Sequence, residues 1–173
     1  MNTPFSLNFL QQRGLLITLL GSSFLLLAAF AYEKITGLLP CPLCWLQRGV
    51  FVGFFLISLT ALLLSYTALF KRLSLIRWLF IVAFALVMAS GVGVALRHLY
   101  IKLNPNSVGC GLDVETLLDF FPLQDALAQM LVGSSDCAQA ANFFGLPLPV
   151  WSLTGYLLLG SLAIYSLLTS SPT

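Results

Sequence analysis

Four long runs of apolar residues set the strongest limit on what this chain can fold into. They extend over residues 15–32, 50–70, 78–96 and 150–168, and none contains Asp, Glu, Lys or Arg. About 20 consecutive apolar residues in a helix cross the hydrocarbon core of a bilayer, which offers no hydrogen-bond partners to other backbone conformations. The sequence therefore predicts an all-α membrane protein, a four-transmembrane-helix bundle forming a single membrane domain over residues 1–173.

The composition excludes the other broad classes of protein. Apolar residues make up 59% of the chain and charged residues only 8%, against about 45–50% and 25% in soluble domains. The net charge of +2 comes from eight scattered basic residues and six acidic ones. These charges are too few to follow a phosphate backbone, so nucleic-acid binding is excluded as a main function.

The first apolar run has an alternative interpretation as a secretory signal peptide. Arg13 precedes it, and Ala29-Phe30-Ala31 resembles a small-residue cleavage site. The run is longer than the usual signal core of about 7 to 15 residues. A retained membrane span is therefore the favoured interpretation.

The basic residues near the spans predict an orientation. Lys71, Arg72 and Arg77 lie in a short connection that contains no acid, and such loops remain cytoplasmic. The loops over residues 33–49 and 97–149 then share the outer side, and both termini are cytoplasmic. The outer loops hold all six acids and four of the basic residues, although the basic residues there are spread over longer segments.

All four cysteines lie in these two outer loops. Cys41 and Cys44 form a CxxC motif in the first, and Cys110 and Cys137 lie in the second. An oxidising outer compartment allows disulfides to persist. Closing the long second loop would contribute roughly 3 to 4 kcal/mol, but a four-residue ring only about 2 kcal/mol before strain. A CxxC motif is better suited to cycling between dithiol and disulfide.

The residues around the CxxC motif favour a reactive thiolate. Pro42 suits the first position of a helix, which places Cys44 in the first turn, where free backbone N–H groups stabilise a thiolate. Arg48 lies one turn further on the same face, where its guanidinium could support that thiolate and bind an acceptor. The alternative is an arginine that reaches toward lipid head groups. His98, the only histidine in the chain, is interpreted either as a contact for a redox partner or as an ordinary interfacial residue.

The second outer loop contains a flexible cysteine and an amphipathic segment. Gly109 and Gly111 flank Cys110 and keep it accessible to an incoming thiolate. From Leu123 to Val132, leucines and a methionine recur at helical spacing between polar residues. This pattern predicts a short helix on the membrane surface.

Two further interpretations of the cysteines stay open. A structural zinc site could use all four thiolates, although such sites usually show two short ligand pairs. Two inert disulfides in a membrane scaffold are the other possibility. A transporter or ion pump is disfavoured because no span carries an ionisable residue.

Several motifs together resemble the DsbB family over nearly the whole chain. They are Cys41-Pro-Leu-Cys44-Trp-Leu-Gln-Arg48, Arg97-His98, Cys110, Ser135-Asp136-Cys137-Ala138, and Phe144-Gly145-Leu146-Pro147-Leu148-Pro149-Val150-Trp151. The joint pattern is specific, although each part alone is weak. The chain departs from it at Gln47 and Arg97, where the best-known member has acidic residues, so the charges around a bound quinone are expected to differ.

The resemblance implies a function and a role for each site residue. It implies a thiol:quinone oxidoreductase of the bacterial inner membrane, which reoxidises a DsbA-like periplasmic thiol oxidant and reduces ubiquinone or menaquinone. Cys110 would be attacked by the partner, with Cys137 leaving, and Cys41 would exchange with this second pair. Cys44, Arg48 and His98 would bind the quinone, and no metal is implied.

Overall fold

The computed structural model describes residues 4–37, 40–67, 74–139 and 142–169, with side chains from residue 11 onward. Its four long helices are α1 (Pro4–Thr36), α2 (Pro42–Ser65), α3 (Ser74–Leu103) and α7 (Leu148–Thr169). Between α3 and α7 lie a 3-10 turn (Pro105–Ser107), the short helices α4 (Val114–Phe120), α5 (Leu123–Val132) and α6 (Ser135–Ala138), and an antiparallel hairpin of β1 (Asn142–Phe143) and β2 (Leu146–Pro147).

The predicted four-helix membrane fold is confirmed. Each long helix contains a segment long and apolar enough to cross a membrane. The helices pack in the cyclic order α1, α2, α3, α7, so that each contacts two neighbours along its length. The assignment of the whole chain to a single domain stays a prediction.

All four helices have bounds that differ from the apolar runs, and the differences in α2 and α3 affect the end of the bundle that carries the cysteines. α2 begins at Pro42, before the run that starts at residue 50, because Pro42 occupies the first turn and the sulfur of Cys41 accepts a hydrogen bond from the backbone N–H of Cys44 (3.4 Å). It ends at Ser65, and positions 68–70 of the predicted span lie outside the described residues. α3 continues past residue 96 to Leu103, since a helix does not have to end where its residues become polar.

Aromatic side chains fill the centre of the bundle. Phe51, Phe54, Phe84 and Tyr156 are buried and stack on one another across three helices. The hydroxyl of Tyr156 donates to the backbone carbonyl of Gln47 (2.9 Å). This contact joins α7 to the first part of α2, directly below the CxxC motif.

The segment after α3 folds over one end of the bundle. α6 packs against α3 and α2, and α5 packs against α2. A helix does form over Leu123–Val132, and it buries Ala126 and Met130 while leaving Leu123, Leu127 and Leu131 exposed. Its position on a membrane surface stays a prediction.

Candidate functional site

Three of the four cysteines and the single histidine meet at this end of the bundle. Cys41 caps the N-terminus of α2, Cys44 lies in its first turn, and Cys137 lies in α6. The sulfur of Cys44 is 2.8 Å from that of Cys41. The two sulfurs of Cys41 and Cys137 and a ring nitrogen of His98 all lie within 4.8 Å of one another. We call Cys41, Cys44, His98 and Cys137 the thiol cluster.

His98 lies behind the cysteines and has no exposed surface. Its Nε2 is 3.2 Å from the carbonyl oxygen of Cys137 and 3.9 Å from the sulfur of Cys41. Its Nδ1 is 3.2 Å from the side-chain nitrogen of Gln47. The ring of His98 is thus enclosed by the protein, because α3 extends beyond residue 96 and α6 covers it, and its role as a contact for a redox partner stays a prediction.

Gln47 is a site residue that the sequence interpretation named only as a departure from the family pattern, without a role for its side chain. Its side chain is buried, and it contacts only the ring of His98 among the polar side chains given for the described residues. The available signal was a polar amide at the start of a long apolar helix, one turn beyond the CxxC motif. Such a group needs a buried polar partner.

The thiols of the cluster are not equivalent. Hydrogen bonds to Cys137 and Cys44, together with burial, raise the pKa of Cys41 far above its ordinary value. The contact with Cys41 lowers the pKa of Cys137 to about 6, although burial opposes this shift. Near neutral pH, Cys137 is therefore the thiolate and Cys41 the protonated partner of this pair.

Arg48 faces α1 rather than His98. One guanidinium nitrogen donates to the carboxylate of Glu33 (2.6 Å) and another to the carbonyl oxygen of Ala29 (3.2 Å). The guanidinium carbon also lies 4.7 Å from the ring centre of Phe30 and 5.8 Å from that of Trp45. Arg48 thus joins α2 to α1 one turn beyond Cys44, and its contact with a quinone stays a prediction.

Cys110 is exposed and stands apart from the thiol cluster. It lies in a non-helical segment that is held beside α6 by a hydrogen bond from the backbone N–H of Ser135 to the carbonyl oxygen of Gly109 (3.1 Å). A groove next to it is lined by Pro42, Phe121 and Val132, among other residues. The zinc site with four cysteine ligands, considered from the sequence, does not match this arrangement, because Cys110 is outside the cluster.

The chain is similar to a family of membrane proteins over most of its length. The family model for "Disulfide bond formation protein DsbB" matches residues 11–166. A "Disulfide bond formation protein B" of Alkalilimnicola ehrlichii is 42% identical over 92% of this chain and 94% of its own. That of Saccharophagus degradans is 35% identical over 87% and 89%. A "Disulfide bond formation protein B 2" of Pseudomonas entomophila is 38% identical over 84% of each chain.

No solved structure matches the chain significantly. The family assignment therefore depends on the sequence relatives, and it agrees with the resemblance seen in the cysteine motifs. The match covers α2 and α3, most of α1 and α7, and every residue of the thiol cluster. The chain belongs to the DsbB family of disulfide bond formation proteins.

Proposed function

We propose that this protein is a thiol:quinone oxidoreductase that reoxidises a DsbA-like periplasmic thiol oxidant and passes the electrons to a membrane quinone. The observation that carries the proposal is the division of the four cysteines between the exposed Cys110 and a cluster in which Cys41 and Cys137 are buried and Cys44 is half-buried. An exposed thiol can meet a protein partner, whereas the clustered thiols can exchange with one another.

Cys110 is the cysteine we assign to the encounter with the partner. In the oxidised protein, a thiolate of the reduced partner attacks the sulfur of Cys110 in a Cys110–Cys137 disulfide. The bond between Cys110 and Cys137 breaks, a mixed disulfide with the partner forms, and Cys137 leaves as a thiolate. The hydroxyl of Ser134, 4.0 Å from the sulfur of Cys137, can donate to the leaving thiolate and supports this direction, since a stabilised thiolate leaves faster. The groove beside Cys110 offers apolar surface for an extended segment of the partner.

Cys137 then passes the oxidation on to the CxxC motif. Its thiolate attacks Cys41 of a Cys41–Cys44 disulfide, a Cys41–Cys137 bond forms, and Cys44 leaves as a thiolate. The partner's second thiolate attacks the mixed disulfide, which completes the partner's disulfide and releases Cys110 as a thiolate. Cys110 then attacks Cys137, the Cys41–Cys137 bond breaks, and Cys41 leaves as a thiolate. The net change is one disulfide formed in the partner and one reduced at Cys41 and Cys44. The short separations within the thiol cluster support this exchange.

Cys44, Arg48 and His98 are the residues we assign to the quinone, either ubiquinone or menaquinone. A bound quinone would accept two electrons and two protons. The donor set fits such a molecule, because Arg48 has five N–H groups. Two of its nitrogens donate to Glu33 and Ala29, and the remaining N–H groups can donate to a quinone oxygen. The rings of Phe30 and Trp45 beside it are half exposed. His98 lies behind Cys41, where its Nε2 can hold or release a proton.

The setting that fits this chemistry is the bacterial inner membrane, with both termini cytoplasmic and the cysteine-bearing loops periplasmic. The positively charged connection between α2 and α3 supports this orientation. Of its basic residues, Lys71 and Arg72 lie outside the described residues, and Arg77 lies in the first turn of α3.

The proposal is tested by an anaerobic reaction with purified components. The protein is mixed with a reduced DsbA-type partner and a soluble ubiquinone analogue, while quinone absorbance and the thiol state of each cysteine are followed. We expect one quinone reduced per partner disulfide formed. Cys110→Ser should stop partner oxidation, and Cys44→Ser should stop quinone reduction while the protein remains inserted. Ser90→Ala, on an exposed face of α3, is the matched control and should react normally.

The alternative is a membrane scaffold with two structural disulfides. In that case both disulfides stay inert toward the reduced partner and no quinone is consumed. The cysteine variants then lose stability without any change in a reaction, and the proposal fails.

A further inference from the structure

The thiol cluster has the composition of a soft-metal site as well as that of a redox centre. Cys41, His98 and Cys137 each present one ligand atom, and these atoms lie within 4.8 Å of one another in a buried position. Cys44 is the candidate for a fourth ligand, because its sulfur is 2.8 Å from that of Cys41, although it lies outside the group of three whose ligand atoms are all within 4.8 Å of one another. Three thiolates and one imidazole are a common ligand set for zinc.

The spacing of the donor atoms is close to what zinc requires. Bond lengths of about 2.3 Å to sulfur and 2.0–2.1 Å to nitrogen place the ligand atoms of a tetrahedral site with one nitrogen about 3.5–3.8 Å apart. The ligand atoms of Cys41, His98 and Cys137 are separated by at most 4.8 Å, so these three need to move by only about 1 Å. The sulfur of Cys44 is 2.8 Å from that of Cys41 and would have to turn toward the other two ligands. The donors come from α2, α3 and α6, which pack against one another, so the packing of the fold brings them together.

Groups around the cluster would support a bound cation. A metal-bound histidine usually uses its other ring nitrogen in a hydrogen bond. The Gln47 side chain lies 3.2 Å from Nδ1 of His98, and its amide can present oxygen to that nitrogen after a simple flip. Nε2, on the side of the cysteines, would then exchange its contact with the carbonyl oxygen of Cys137 for the metal. The hydroxyl of Ser134 also lies 4.0 Å from the sulfur of Cys137, to which it can donate.

We propose that the fully reduced protein binds one zinc ion through Cys41, Cys44, His98 and Cys137. Binding displaces the remaining thiol protons into solvent and requires no oxidant. A disulfide between any two of the three cysteines removes two ligands, so zinc binding and disulfide exchange exclude each other. Zinc would hold the protein in its reduced form and block reoxidation. This site differs from one built of four cysteines, because His98 takes the place of the exposed Cys110.

The test begins with the unmodified protein, reduced with a phosphine and desalted without oxygen. Zinc is titrated in competition with a chromogenic chelator, and the cysteines are then alkylated and mapped by mass spectrometry. We expect one zinc per chain, with Cys110 alkylated and the other three cysteines protected. The oxidised protein should bind none. No zinc binding by the reduced protein, or equal alkylation of all four cysteines with and without zinc, would overturn the proposal.

Variants separate the proposed ligand set from the alternative. Cys110→Ser is the matched control and should retain full affinity for zinc. His98→Gln and Cys137→Ser should weaken zinc binding at least about tenfold, because losing a ligand costs more affinity than losing a hydrogen-bond partner of a ligand. Cobalt substituted for zinc should give sulfur-to-metal absorption that is unchanged in Cys110→Ser and altered in His98→Gln. Loss of binding in Cys110→Ser with retention in His98→Gln would instead show the four-cysteine site.

Discussion

The guanidinium of Arg48 contacts α1 and is proposed to bind a quinone, and the two roles need different numbers and directions of N–H groups. Toward α1 it pairs with Glu33 and Ala29, which any long cation could do in part. Toward a quinone oxygen it would use its remaining planar N–H groups, which a lysine cannot reproduce. The two roles therefore separate in a conservative substitution.

We expect Arg48→Lys to raise the apparent KM for quinone about tenfold, because losing a charge-assisted hydrogen bond costs about 1.5 kcal/mol. Steady-state kinetics with a soluble quinone measure this value. Arg77→Lys, at the opposite end of α3, is the matched control and should leave the KM unchanged. An unchanged KM in Arg48→Lys would restrict Arg48 to joining α2 and α1.

Individual residues also show that local capping can be predicted from sequence, whereas contacts between distant residues cannot. The CxxC spacing and Pro42 together predicted that Cys44 lies in the first turn of a helix, because capping depends on neighbours in the chain. The burial of His98 depends on α6, which is 37 or more positions away along the chain. The pairing of His98 with Gln47 joins residues 51 positions apart. Contacts of this kind have no local pattern.

Among the elements, α3 offers two glycines with opposite surroundings. A Cβ added at Gly91 would lie 2.7 Å from a methyl group of Val50 and 2.9 Å from the ring of Tyr156, whereas nothing lies within 4 Å of one added at Gly93. Gly91 therefore allows α3 to approach α2 and α7 closely. Gly93 has no such role.

We expect Gly91→Ala to lower the free energy of unfolding by about 1 to 3 kcal/mol, the usual cost of overpacking a core. Gly93→Ala should lie within about 1 kcal/mol of the parent and should not destabilise it, since alanine favours the helix. Unfolding by a denaturing detergent in mixed micelles measures both. Equal destabilisation by the two variants would contradict the close packing at Gly91.

Asp113 caps the helix that follows Cys110. Its carboxylate accepts hydrogen bonds from the hydroxyl (2.6 Å) and backbone N–H (3.2 Å) of Thr116. These bonds hold the pKa of Asp113 below its ordinary value of 3.8. A lowered pKa means that the carboxylate stabilises α4 above pH 3.8 and that this contribution is lost as the pH falls through the folded pKa.

Hydrogen exchange of the α4 amides should therefore accelerate, relative to Asp113→Asn, as the pH falls below 3.8. Asparagine can cap the helix but does not titrate. The α5 amides are the internal reference, because the capping residue of that helix, Pro122, forms no side-chain hydrogen bond. Identical pH profiles for α4 in the parent and in Asp113→Asn would show that the ionisation of Asp113 does not stabilise α4.

The elements were more predictable from sequence than their ends. Apolar runs identified all four long helices, since hydrophobic length is what a bilayer selects. The start of α2 depends instead on Cys41 and Pro42. The end of α3 depends on backbone hydrogen bonding that continues past Arg97. Helix α5 was visible in the spacing of its leucines. Helix α6, with only four residues, is too short to produce a periodic pattern.

At the scale of the whole molecule, chain topology explains why the cysteines meet. With four spans, the two loops that hold them lie at the same end of the bundle, and this followed from counting helices. The choice of which cysteines approach one another did not follow from it. Their shared loop suggested Cys110 with Cys137, and the family resemblance implied exchange with Cys41. The thiol cluster places Cys137 beside Cys41 and leaves Cys110 exposed, because α6 packs on α2 and α3.

The same topology makes a prediction about orientation, because positive charge holds a short loop in the cytoplasm. Cys110 should then be accessible from the periplasm, and Thr67, just past the end of α2, should face the cytoplasm. Intact spheroplasts of a Thr67→Cys variant are reduced with an impermeant phosphine and treated with an impermeant maleimide. Mass spectrometry should find Cys110 labelled at once, and the thiol introduced at position 67 labelled only after permeabilisation. If position 67 were labelled first, the orientation would be the opposite one. The thiol cluster would then lie on the cytoplasmic, reducing side, where it could not oxidise a periplasmic partner.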